Sequence, residues 1–385
     1  MTASNKPPNK NILQQNIHES WVKSLHKNLV SQNRLKALPD PDFFSLSGND
    51  YLGLSRHPDV ISAASEALRN FGAGATGSRF LSGNHPLNDA LEMAIARFKS
   101  GGKGQAVVFS SGYHANLSVM AVLGGHCAHV YSDERNHASL IDGLRLAKAK
   151  IFIYPHNDFD WIKQHVAANP SCCFMIVTES LFSMEGDKAP LKDLYAISQR
   201  YGGLLVIDDA HGTGTTGTYG RGGLEDNDLE FDPDHMVVTG TFSKALGSLG
   251  GYAVLGNESK LVLLSLSRPF IYTTGLPPGV LAASLASLRL LENKPLLVGE
   301  LHAMSAFWNN ALTGTYSSVP IIPIRGNPTH LLHIAESLKE MGFMLPLLKY
   351  PTVEKGKEQL RLSVNLTWNQ PVFNALQKAF GLPSC

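Results

Sequence analysis

Between about residues 105 and 256, short apolar runs rich in Val and Ile alternate with longer stretches whose apolar residues recur at helical spacing. The short runs are almost continuously apolar, which is typical of strands that are covered on both faces of a sheet. The pattern therefore predicts an α/β domain with a mostly parallel central sheet, in which ligands bind at the carboxyl ends of the strands. The predicted strands are 105–109, 128–133, 150–155, 173–180, 203–209, 235–241 and 251–256, and the helices between them are 113–124, 138–149, 160–168 and 191–202.

The chain before this region predicts helices and one irregular loop. Apolar residues spaced along one helical face predict an amphipathic helix from Ile12 to about Lys36, after a flexible tail that ends near Pro8. Two more helices are predicted at 60–72 and 87–102. Gly72 ends the first of these helices, and Gly74, Gly77 and Gly83 interrupt the segment that follows, so we predict a loop there that approaches a ligand or a neighbouring subunit.

The chain after this region predicts a second, smaller domain. A long helix at 277–293 is expected to lead into it, followed by strands at 320–326 and 359–366 and by helices from about His330 and Val372. The mixture of strands and helices is typical of an α+β domain. The predicted divisions are an N-terminal tail and helix (1–45), a large α/β domain (46–280) and a small α+β domain (281–385).

Composition narrows the class of protein. The chain has 385 residues, of which 43% are hydrophobic and 17% charged, so we expect a globular protein. A formal net charge of +1 gives no electrostatic reason to expect a nucleic-acid partner. The N-terminus lacks the apolar core of a signal peptide, and no apolar run is long enough to span a bilayer. We therefore predict a cytoplasmic protein with reduced thiols at its four cysteines, Cys127, Cys172, Cys173 and Cys385.

Lys244 follows one of the predicted strands, in the stretch "VVTGTFSKALG". No acidic residue lies within four positions of it, so a local ion pair does not explain it. A lysine amine in this position can form a Schiff base with a carbonyl compound, while neighbouring hydroxyl and N–H groups hold an anion. A solvated loop lysine is the simpler interpretation of such a residue taken alone, and the other motifs decide between the two.

Other strand ends also carry polar residues. In "VVFSSGYHANL" the helix that begins at Gly112 and Tyr113 could bind an anion, and Tyr113 could cover a planar ring, although many α/β turns look like this. In "VIDDAHGTG" Asp208, Asp209 and His211 follow an apolar strand, where two carboxylates are costly to bury unless one meets a cation. A helix cap or a metal site is the alternative. No supporting cluster at metal-ligand spacing is found, so we predict no metal and favour a carboxylate that faces a pyridinium nitrogen.

Two further motifs are ambiguous by themselves. "SDERNHASL" places His137 just before a helix, where a histidine is more often a capping or core residue than a catalyst. "TESLFSMEGD" places Glu179 and Ser183 after a strand, where Gly186 and Asp187 alone would justify a simple turn.

Taken together and in this order, the motifs resemble the α-oxoamine synthase family, which contains pyridoxal 5′-phosphate enzymes of fold-type I with the aspartate-aminotransferase-like fold. The similarity extends from about Ser47 to Leu362, most of the chain. The stretches that carry it are "SGNDYLGL", "SSGYHAN", "NHASL", "TESLFSMEGD", "VIDDAHGTG", "TGTFSKALG", "YTTGLPP" and "PTVEKGKEQLRL".

The resemblance implies a role for each matching residue. Lys244 would hold the aldehyde of pyridoxal 5′-phosphate as an imine, Asp208 would pair with the pyridine nitrogen, and His211 would bond the phenolic oxygen. His137 would stack on the ring. The other residues implied at the cofactor are Gly112, Tyr113, Ser183 and Thr241, with Thr273 and Thr274 reaching the cofactor phosphate of the neighbouring subunit. The residues implied at the substrate are Arg34, Asn49, Thr352 and Arg361, of which Arg361 would bind the carboxylate of an amino acid.

The implied reaction is a decarboxylative condensation of an amino acid with an acyl thioester, in a homodimer with shared active sites. Within the family, the motifs are most similar to members that condense L-alanine with a pimeloyl thioester, on coenzyme A or an acyl carrier protein, in biotin biosynthesis. Asn88, Glu354 and Trp368 depart from the family pattern and put the acyl donor in doubt. Members that use glycine or serine, and an inactive relative that serves as a binding scaffold, are the alternatives.

Overall fold

The computed structural model describes residues 10–32, 34–35, 38–169, 172–350 and 353–383. The chain divides into two compact units, with the division between Phe44 and Ser45. The predicted tail before Pro8, together with Thr352 and Cys385, lies outside the described residues. The predicted boundary near residue 280 stays a prediction.

The secondary structure follows the alternation in the sequence. The strands are β1 Phe44–Ser45, β2 Gln105–Phe109, β3 His129–Asp133, β4 Ile151–Tyr154, β5 Phe174–Glu179, β6 Leu204–Asp208, β7 Met236–Thr241, β8 Gly251–Leu255, β9 Ile321–Arg325, β10 Phe343–Met344, β11 Leu347–Leu348 and β12 Gln359–Ser363. The helices are α1 Lys10–Ser31, α2 Pro58–Phe71, α3 Pro86–Ser100, α4 Gly112–Leu123, α5 Ala138–Ala147, α6 Phe159–Ala167, α7 Leu191–Tyr201, α8 Gly223–Asp226, α9 Asn257–Leu266, α10 Arg268–Ile271, α11 Pro278–Asn293, α12 Leu296–Thr313, α13 Pro328–Glu340 and α14 Gln370–Phe380.

The first unit contains α1, which confirms the predicted N-terminal helix, although it ends at Ser31 and not near Lys36. Trp21 and Leu25, two of the residues that suggested an apolar face, are exposed.

Among the described residues, seven strands form the central sheet in the order β2-β8-β7-β6-β5-β3-β4. Every residue of β5 and β7 is buried, as their continuous apolar sequences predicted. The strands β4, β3, β5, β6 and β7 are parallel to their neighbours in this set, which confirms the mostly parallel sheet. The carboxyl ends of these strands therefore lie along one edge.

Strand β8 is the exception, because it pairs antiparallel with both β7 and β2. It follows that β2 runs in the same direction as β7, so that its carboxyl end and the start of α4 lie at the same edge as the others. Gly251 at the start of β8 allows this arrangement. A Cβ at that position would lie 2.4 Å from the carbonyl oxygen of Ser111 and 2.5 Å from the backbone nitrogen of Gly112.

The C-terminal part contains a three-stranded antiparallel sheet in the order β11-β12-β9. Its central strand β12 is buried along its whole length, with Leu360 and Leu362 in the hydrophobic core and Arg361 between them. The helix α11 packs against α2 and α3. The helix α12 was not predicted from the sequence; its apolar residues are spread around much of its circumference, so no single stripe marks it.

Candidate active site

The candidate site is built at the edge where β5, β6 and β7 end. Glu179 and Asp208 are the last residues of β5 and β6 and lie opposite each other in the parallel register. Thr241 ends β7, and the tight turn that follows carries Lys244, whose carbonyl oxygen accepts a 2.8 Å hydrogen bond from the backbone N–H of Gly247. The edge thus brings two carboxylates and a lysine from separate strand ends into one region.

Lys244 extends towards His211, and its Nζ lies 2.8 Å from the Nε2 of that histidine. Burial lowers the pKa of Lys244, and the charges of Asp208 and Glu179 partly oppose this effect. A lowered pKa increases the share of free amine near neutral pH. The free amine is the form that attacks a carbonyl group or accepts a proton.

Asp208 is buried and is held by neutral donors. The Nδ2 of Asn116 donates to its Oδ2 over 2.6 Å, and the backbone N–H of Ala210 donates to its Oδ1 over 3.0 Å. Asn116, in α4, is itself held by the hydroxyl of Thr239, which donates to its Oδ1 over 2.6 Å. The carboxylate is therefore fixed in place by dipoles, and its charge remains available to a cationic partner.

Glu179 contributes a carboxyl group that the sequence analysis did not assign to the site. Burial raises its pKa well above the usual value, and the nearby charge of Asp208 raises it further. Two adjacent carboxylates cannot both ionise easily in a buried place. The carboxyl group of Glu179 therefore keeps its proton to higher pH than an exposed glutamate would.

His211 lies in the centre of a continuous line of contacts. Its Nδ1 is 2.8 Å from the hydroxyl of Tyr51, and that hydroxyl also contacts Asn49 Oδ1 at 3.1 Å and Arg361 Nη2 at 3.3 Å. Burial lowers the pKa of His211 well below its usual value, and the charges of Lys244 and Arg361 lower it further. The ring is therefore a neutral imidazole, with one nitrogen that donates and one that accepts.

Arg361 is positioned by several acceptors around its guanidinium. Its Nη2 donates to Asn49 Oδ1 over 3.1 Å, and its Nη1 donates to Ser363 Oγ over 2.9 Å and to the carbonyl oxygen of Ser47 over 3.3 Å. Its Nε donates to the carbonyl oxygen of Ser183. The structure thus brings together Asn49 and Arg361, which the resemblance implies near the amino-acid substrate, with Arg361 as the group that binds its carboxylate. The carbonyl oxygen of Ser183, a residue that the resemblance implies at the cofactor, accepts the hydrogen bond from Arg361 Nε.

His137 occupies the N-terminal cap of α5, where its Nδ1 accepts from the backbone N–H of Ser139 over 3.3 Å. The capping interpretation of this residue is therefore correct as far as its Nδ1 is concerned. Its ring is exposed and lies 6.3 Å from the ring of Tyr113, at an angle of 78°. The implied stacking of His137 on a cofactor ring stays a prediction.

The N-terminus of α4 is the candidate anion site. The backbone N–H groups of His114 and Ala115 donate to Oγ and O of Ser111, so those of Gly112 and Tyr113 can serve an anion. Thr241 lies close by, since a Cβ at Gly112 would come within 2.9 Å of its Cβ. Its hydroxyl lies 2.7 Å from that of Ser243, which adds polar groups beside the helix end.

Other predicted residues lie elsewhere. Thr273 and Thr274 line a pocket together with Arg79, Asn88 and Ser110, and Lys244 is not among its lining residues. The resemblance assigns these threonines to the neighbouring subunit, and this role stays a prediction. Arg34 belongs to the first unit, where its Nη1 donates to Gln32 Oε1 over 3.2 Å, and its substrate contact also stays a prediction. Thr352 lies outside the described residues.

The three departures from the family pattern have different surroundings. Asn88 is buried, and its Nδ2 finds no hydrogen-bond partner within the described chain. Glu354 is exposed and lies 2.9 Å from the Nζ of Lys357. Trp368 is a core residue that packs edge-on against Trp308. Trp368 therefore acts through packing in the C-terminal part.

Within the described ranges, no group of three or more His, Cys, Asp or Glu side chains could hold a metal ion. No helix in that part of the chain is long and apolar enough to cross a membrane. Cys127, Cys172 and Cys173 are free thiols.

Besides Glu179, the sequence analysis missed Tyr51 and Asn116, which organise the site through their hydrogen bonds. Both lie inside motifs that carried the resemblance, "SGNDYLGL" and "SSGYHAN". Position within a motif is therefore the signal that could have identified them. Their roles depend on contacts with His211 and Asp208, which are 160 and 92 positions away.

A half-buried lysine beside a buried aspartate and a buried histidine, at the carboxyl edge of a parallel sheet, defines a class, and comparison with known proteins gives the same class. The sequence profile described as aminotransferase class I and II matches residues 41–370, and the chain belongs to this family. The 8-amino-7-oxononanoate synthase of Mycolicibacterium smegmatis is 42% identical over 321 residues, which cover 83% of each chain.

Two solved structures support the same assignment. Serine palmitoyltransferase from S. paucimobilis, with a bound PLP–myriocin aldimine, has a TM-score of 0.81 and 27% identity over 93% of this chain and 96% of that one. The 8-amino-7-oxononanoate synthase of Francisella tularensis has a TM-score of 0.73 and 26% identity over 89% of this chain and 97% of that one. The resemblance and the fold-type I architecture predicted from the sequence are confirmed.

Proposed function

We propose that this chain binds pyridoxal 5′-phosphate at Lys244 and condenses L-alanine with a pimeloyl thioester to give 8-amino-7-oxononanoate, CO2 and the free thiol. The names of its relatives support the reaction, since 42% identity covers 83% of the chain. The observation that carries the proposal is the line of contacts from Lys244 through His211 and Tyr51 to Arg361, which joins an amine to a carboxylate-binding guanidinium.

The residues present fit the proposed cofactor. Asp208 offers a fixed, buried negative charge for a pyridine nitrogen, and His211 offers a neutral imidazole for a phenolic oxygen. The N-terminus of α4 and Thr241 offer N–H and hydroxyl groups for a phosphate. When bound, pyridoxal 5′-phosphate supplies a cationic ring that withdraws electrons from the α-carbon of the amino acid.

Separate residues of the chain then bind the substrates and transfer protons. Arg361, with Asn49 beside it, binds the carboxylate of alanine in a two-pronged hydrogen bond. The Nζ of Lys244, whose pKa is lowered mainly by burial, removes the proton from the α-carbon and later returns a proton after CO2 has left. His137, exposed above the edge of the sheet, can donate to the thioester carbonyl.

The assembly and the acyl carrier extend this proposal. We expect a homodimer in which Thr273 and Thr274 reach the cofactor phosphate of the partner subunit, and a thioester carried by coenzyme A or by an acyl carrier protein. Sedimentation of the loaded protein tests the dimer. A cytoplasmic location stays a prediction.

Reduction with borohydride in the presence of pyridoxal 5′-phosphate tests the cofactor assignment. The pyridoxyl label should be found on the peptide that contains Lys244, because this amine is the one that lies beside His211. The Lys244→Ala variant should take up no label and should lose the yellow colour of the loaded protein. A label on another peptide would contradict the assignment, and a colourless, unlabelled wild type would favour the scaffold alternative.

A panel of substrates tests the reaction. Alanine, glycine and serine are each paired with pimeloyl, acetyl and long-chain thioesters, and the products are identified by mass spectrometry. Alanine with the pimeloyl thioester should give the highest kcat/KM. The structural likeness to serine palmitoyltransferase makes serine with a long-chain thioester the second candidate, and a preference for that pair would replace the first proposal.

A further inference from the structure

The hydroxyl group of Tyr51 connects two parts of the site that the proposed function uses separately. On one side it contacts Nδ1 of His211 at 2.8 Å, and on the other it contacts Asn49 Oδ1 at 3.1 Å and Arg361 Nη2 at 3.3 Å. The side chain of Tyr51 is fully buried, so no solvent competes for these contacts. The environment of this one hydroxyl therefore responds to both the histidine and the guanidinium.

The hydroxyl has a single proton and two acceptors within reach. If it donates to Asn49 Oδ1, the Nδ1–H of His211 must donate to the hydroxyl oxygen, and Nε2 is then a bare acceptor that faces Lys244. We call this the acceptor state of His211. If the hydroxyl donates to Nδ1, the ring proton lies on Nε2, which we call the donor state.

The donor state requires Lys244 to be a free amine, because its Nζ lies 2.8 Å from Nε2 and must then accept the Nε2–H. The two states also differ in the number of hydrogen bonds that Asn49 Oδ1 receives. In the donor state Asn49 Oδ1 keeps only the hydrogen bond from Arg361 Nη2, which spans 3.1 Å. In the acceptor state Asn49 Oδ1 also accepts the proton of Tyr51. Asn49 Oδ1 can therefore receive a hydrogen bond from Arg361, from Tyr51 or from both. Whether Tyr51 donates to Asn49 decides which ring nitrogen of His211 carries the proton.

We propose that Tyr51 is a positioning residue that couples the capture of a carboxylate at Arg361 to the tautomer of His211. A carboxylate that takes the Nη2 protons of Arg361 removes a donor from Asn49 Oδ1. A buried acceptor without a hydrogen-bond donor is unfavourable, so the hydroxyl of Tyr51 rotates and donates to Asn49 Oδ1. His211 then changes to its acceptor state. In the cofactor-free protein, a bound carboxylate would thus leave Nε2 able to accept a hydrogen bond from the Nζ of Lys244.

The protonation of Tyr51 and His211 supports this coupling. Burial raises the pKa of Tyr51, although Arg361 opposes the effect, so the phenol keeps its proton at neutral pH. Burial lowers the pKa of His211 far enough that the ring stays neutral and has two tautomers to choose between. A hydroxyl can reverse its role by rotation alone, which neither a carboxylate nor an aliphatic side chain could do.

The inference rests on the proposed function only in identifying the carboxylate as that of an amino acid, so the test uses cofactor-free protein. Histidine is labelled with 15N in the ring, and the His211 signals are identified by their loss in His211→Gln. Propionate is the probe, because it has the carboxylate and methyl end of alanine without an amine that could react. In the wild type, saturating propionate should change the tautomer ratio about fivefold or more towards Nδ1–H.

Three variants separate the coupling from simple binding or packing. In Tyr51→Phe, propionate should still bind, as followed by its 13C-labelled carboxylate, while the tautomer ratio changes less than twofold. In Asn49→Ala the Tyr51 proton has only His211 to bond, so the donor state should persist with and without propionate. Tyr154→Phe is the matched control, because Tyr154 is also buried and its hydroxyl donates to the carbonyl oxygen of Val177, which is not part of the coupling, so this variant should respond as the wild type does.

Opposite results would overturn the proposal. A Tyr51→Phe protein that responds to propionate as the wild type does would contradict the role of the hydroxyl, and so would an Asn49→Ala protein that changes to Nδ1–H. Propionate that fails to bind the wild type, or that binds Arg361→Leu equally well, would remove the carboxylate from the coupling. Because no cofactor is present, these results are independent of the borohydride label at Lys244.

The loaded enzyme gives a second measurement. Tyr51→Phe should raise the KM for alanine about tenfold or more and lower kcat less, since the coupling acts when the carboxylate binds. Tyr154→Phe should leave both values within about twofold of the wild type. An unchanged KM in Tyr51→Phe would contradict the coupling.

Discussion

Asp208 and Asp209 are consecutive residues at the end of one strand, and both carboxylates are buried. Their partners differ, because one carboxylate is held by neutral donors and the other by a cation. Asp208 receives hydrogen bonds from the Asn116 amide and the Ala210 N–H, both neutral. Asp209 forms an ion pair with the fully buried Lys99. Besides this charged partner it has three neutral donors, which are the hydroxyls of Ser180 and Thr213 and the backbone N–H of Gly223.

The difference shows how a buried carboxylate is assigned to chemistry or to structure. A carboxylate held by dipoles keeps its charge available for a cation that arrives with a ligand, whereas one that already has an ammonium partner has no charge to offer. Asp209 therefore anchors the turn that carries His211, and Asp208 supplies the free charge.

Removal of the cation beside Asp209 should have the largest effect on the stability of the fold. Lys99→Met leaves a buried carboxylate without its ion pair, so we expect the free energy of unfolding to fall by about 3 to 5 kcal/mol. Urea unfolding followed by circular dichroism measures this change. The double variant Lys99→Met, Asp209→Asn should recover most of the loss, because the isolated charge is gone.

A matched control is Lys103→Met, since Lys103 forms an exposed ion pair with Glu230. An exposed pair contributes little, so the unfolding free energy should change by less than about 1 kcal/mol. Equal losses in Lys99→Met and Lys103→Met would show that burial does not distinguish Asp209 as proposed.

Removal of the charge of Asp208 should affect activity more than stability. Asp208→Asn keeps the size of the side chain but removes the negative charge that we propose for the cofactor nitrogen. We expect kcat/KM to fall by about 10²- to 10³-fold, the usual loss when one charge-stabilising group is removed from an active site. Steady-state assays and thermal unfolding of the same preparation measure the two effects.

The contrast with Asp209 is the critical comparison. Asp208→Asn should unfold within about 1 kcal/mol of the wild type, because only neutral hydrogen bonds are rearranged. A large loss of stability with little loss of activity would reverse the roles that we assign to the two carboxylates.

A third buried carboxylate, Asp133, has a partner whose charge depends on pH. His156 contacts Asp133 through Nδ1 at 2.9 Å and Asp187 through Nε2 at 2.6 Å. Burial alone would lower the pKa of His156, but the hydrogen bonds and charges of the two aspartates outweigh it and raise the pKa to about 9. Because the folded-state pKa lies above the unfolded one, the stabilisation is complete below pH 6.5 and is lost as the pH rises to 9.

We expect this stabilisation to amount to about 2 kcal/mol, reduced by the partial exposure of Asp187. Urea unfolding at several pH values between 6 and 10 measures it. In His156→Gln this part of the pH dependence should disappear. A wild type whose stability is constant over this range would contradict the ion pairs of His156.

Much of the fold could be predicted because it depends on local patterns. The strands β2 to β8 agree with the apolar runs, since a buried β-strand must be apolar on both faces wherever it lies. The antiparallel direction of β8 could not be predicted, because an apolar run has the same composition in either direction. The extent of α1 was overestimated, because apolar spacing does not say where a helix ends.

The sequence predicted which chemical groups lie at the candidate site, but not the hydrogen bonds between them. Lys244, Asp208 and His211 were identified because they follow strands and lie in motifs that resemble a known family. That Tyr51 bonds His211 was not predicted, because the contact depends on how separate parts of the chain pack. The role of Thr273 and Thr274 at the cofactor phosphate of the neighbouring subunit stays a prediction.

By itself, the sequence determined which residue types stand at the ends of the strands, and therefore the class of chemistry, because strand periodicity and side-chain chemistry are local properties. Only the tertiary structure decided that Asp209 receives the ammonium of Lys99 and that Asp208 does not. The two aspartates are neighbours in the chain and identical in chemistry. Their difference comes from the groups that packing brings to each carboxylate, and those groups come from distant parts of the chain.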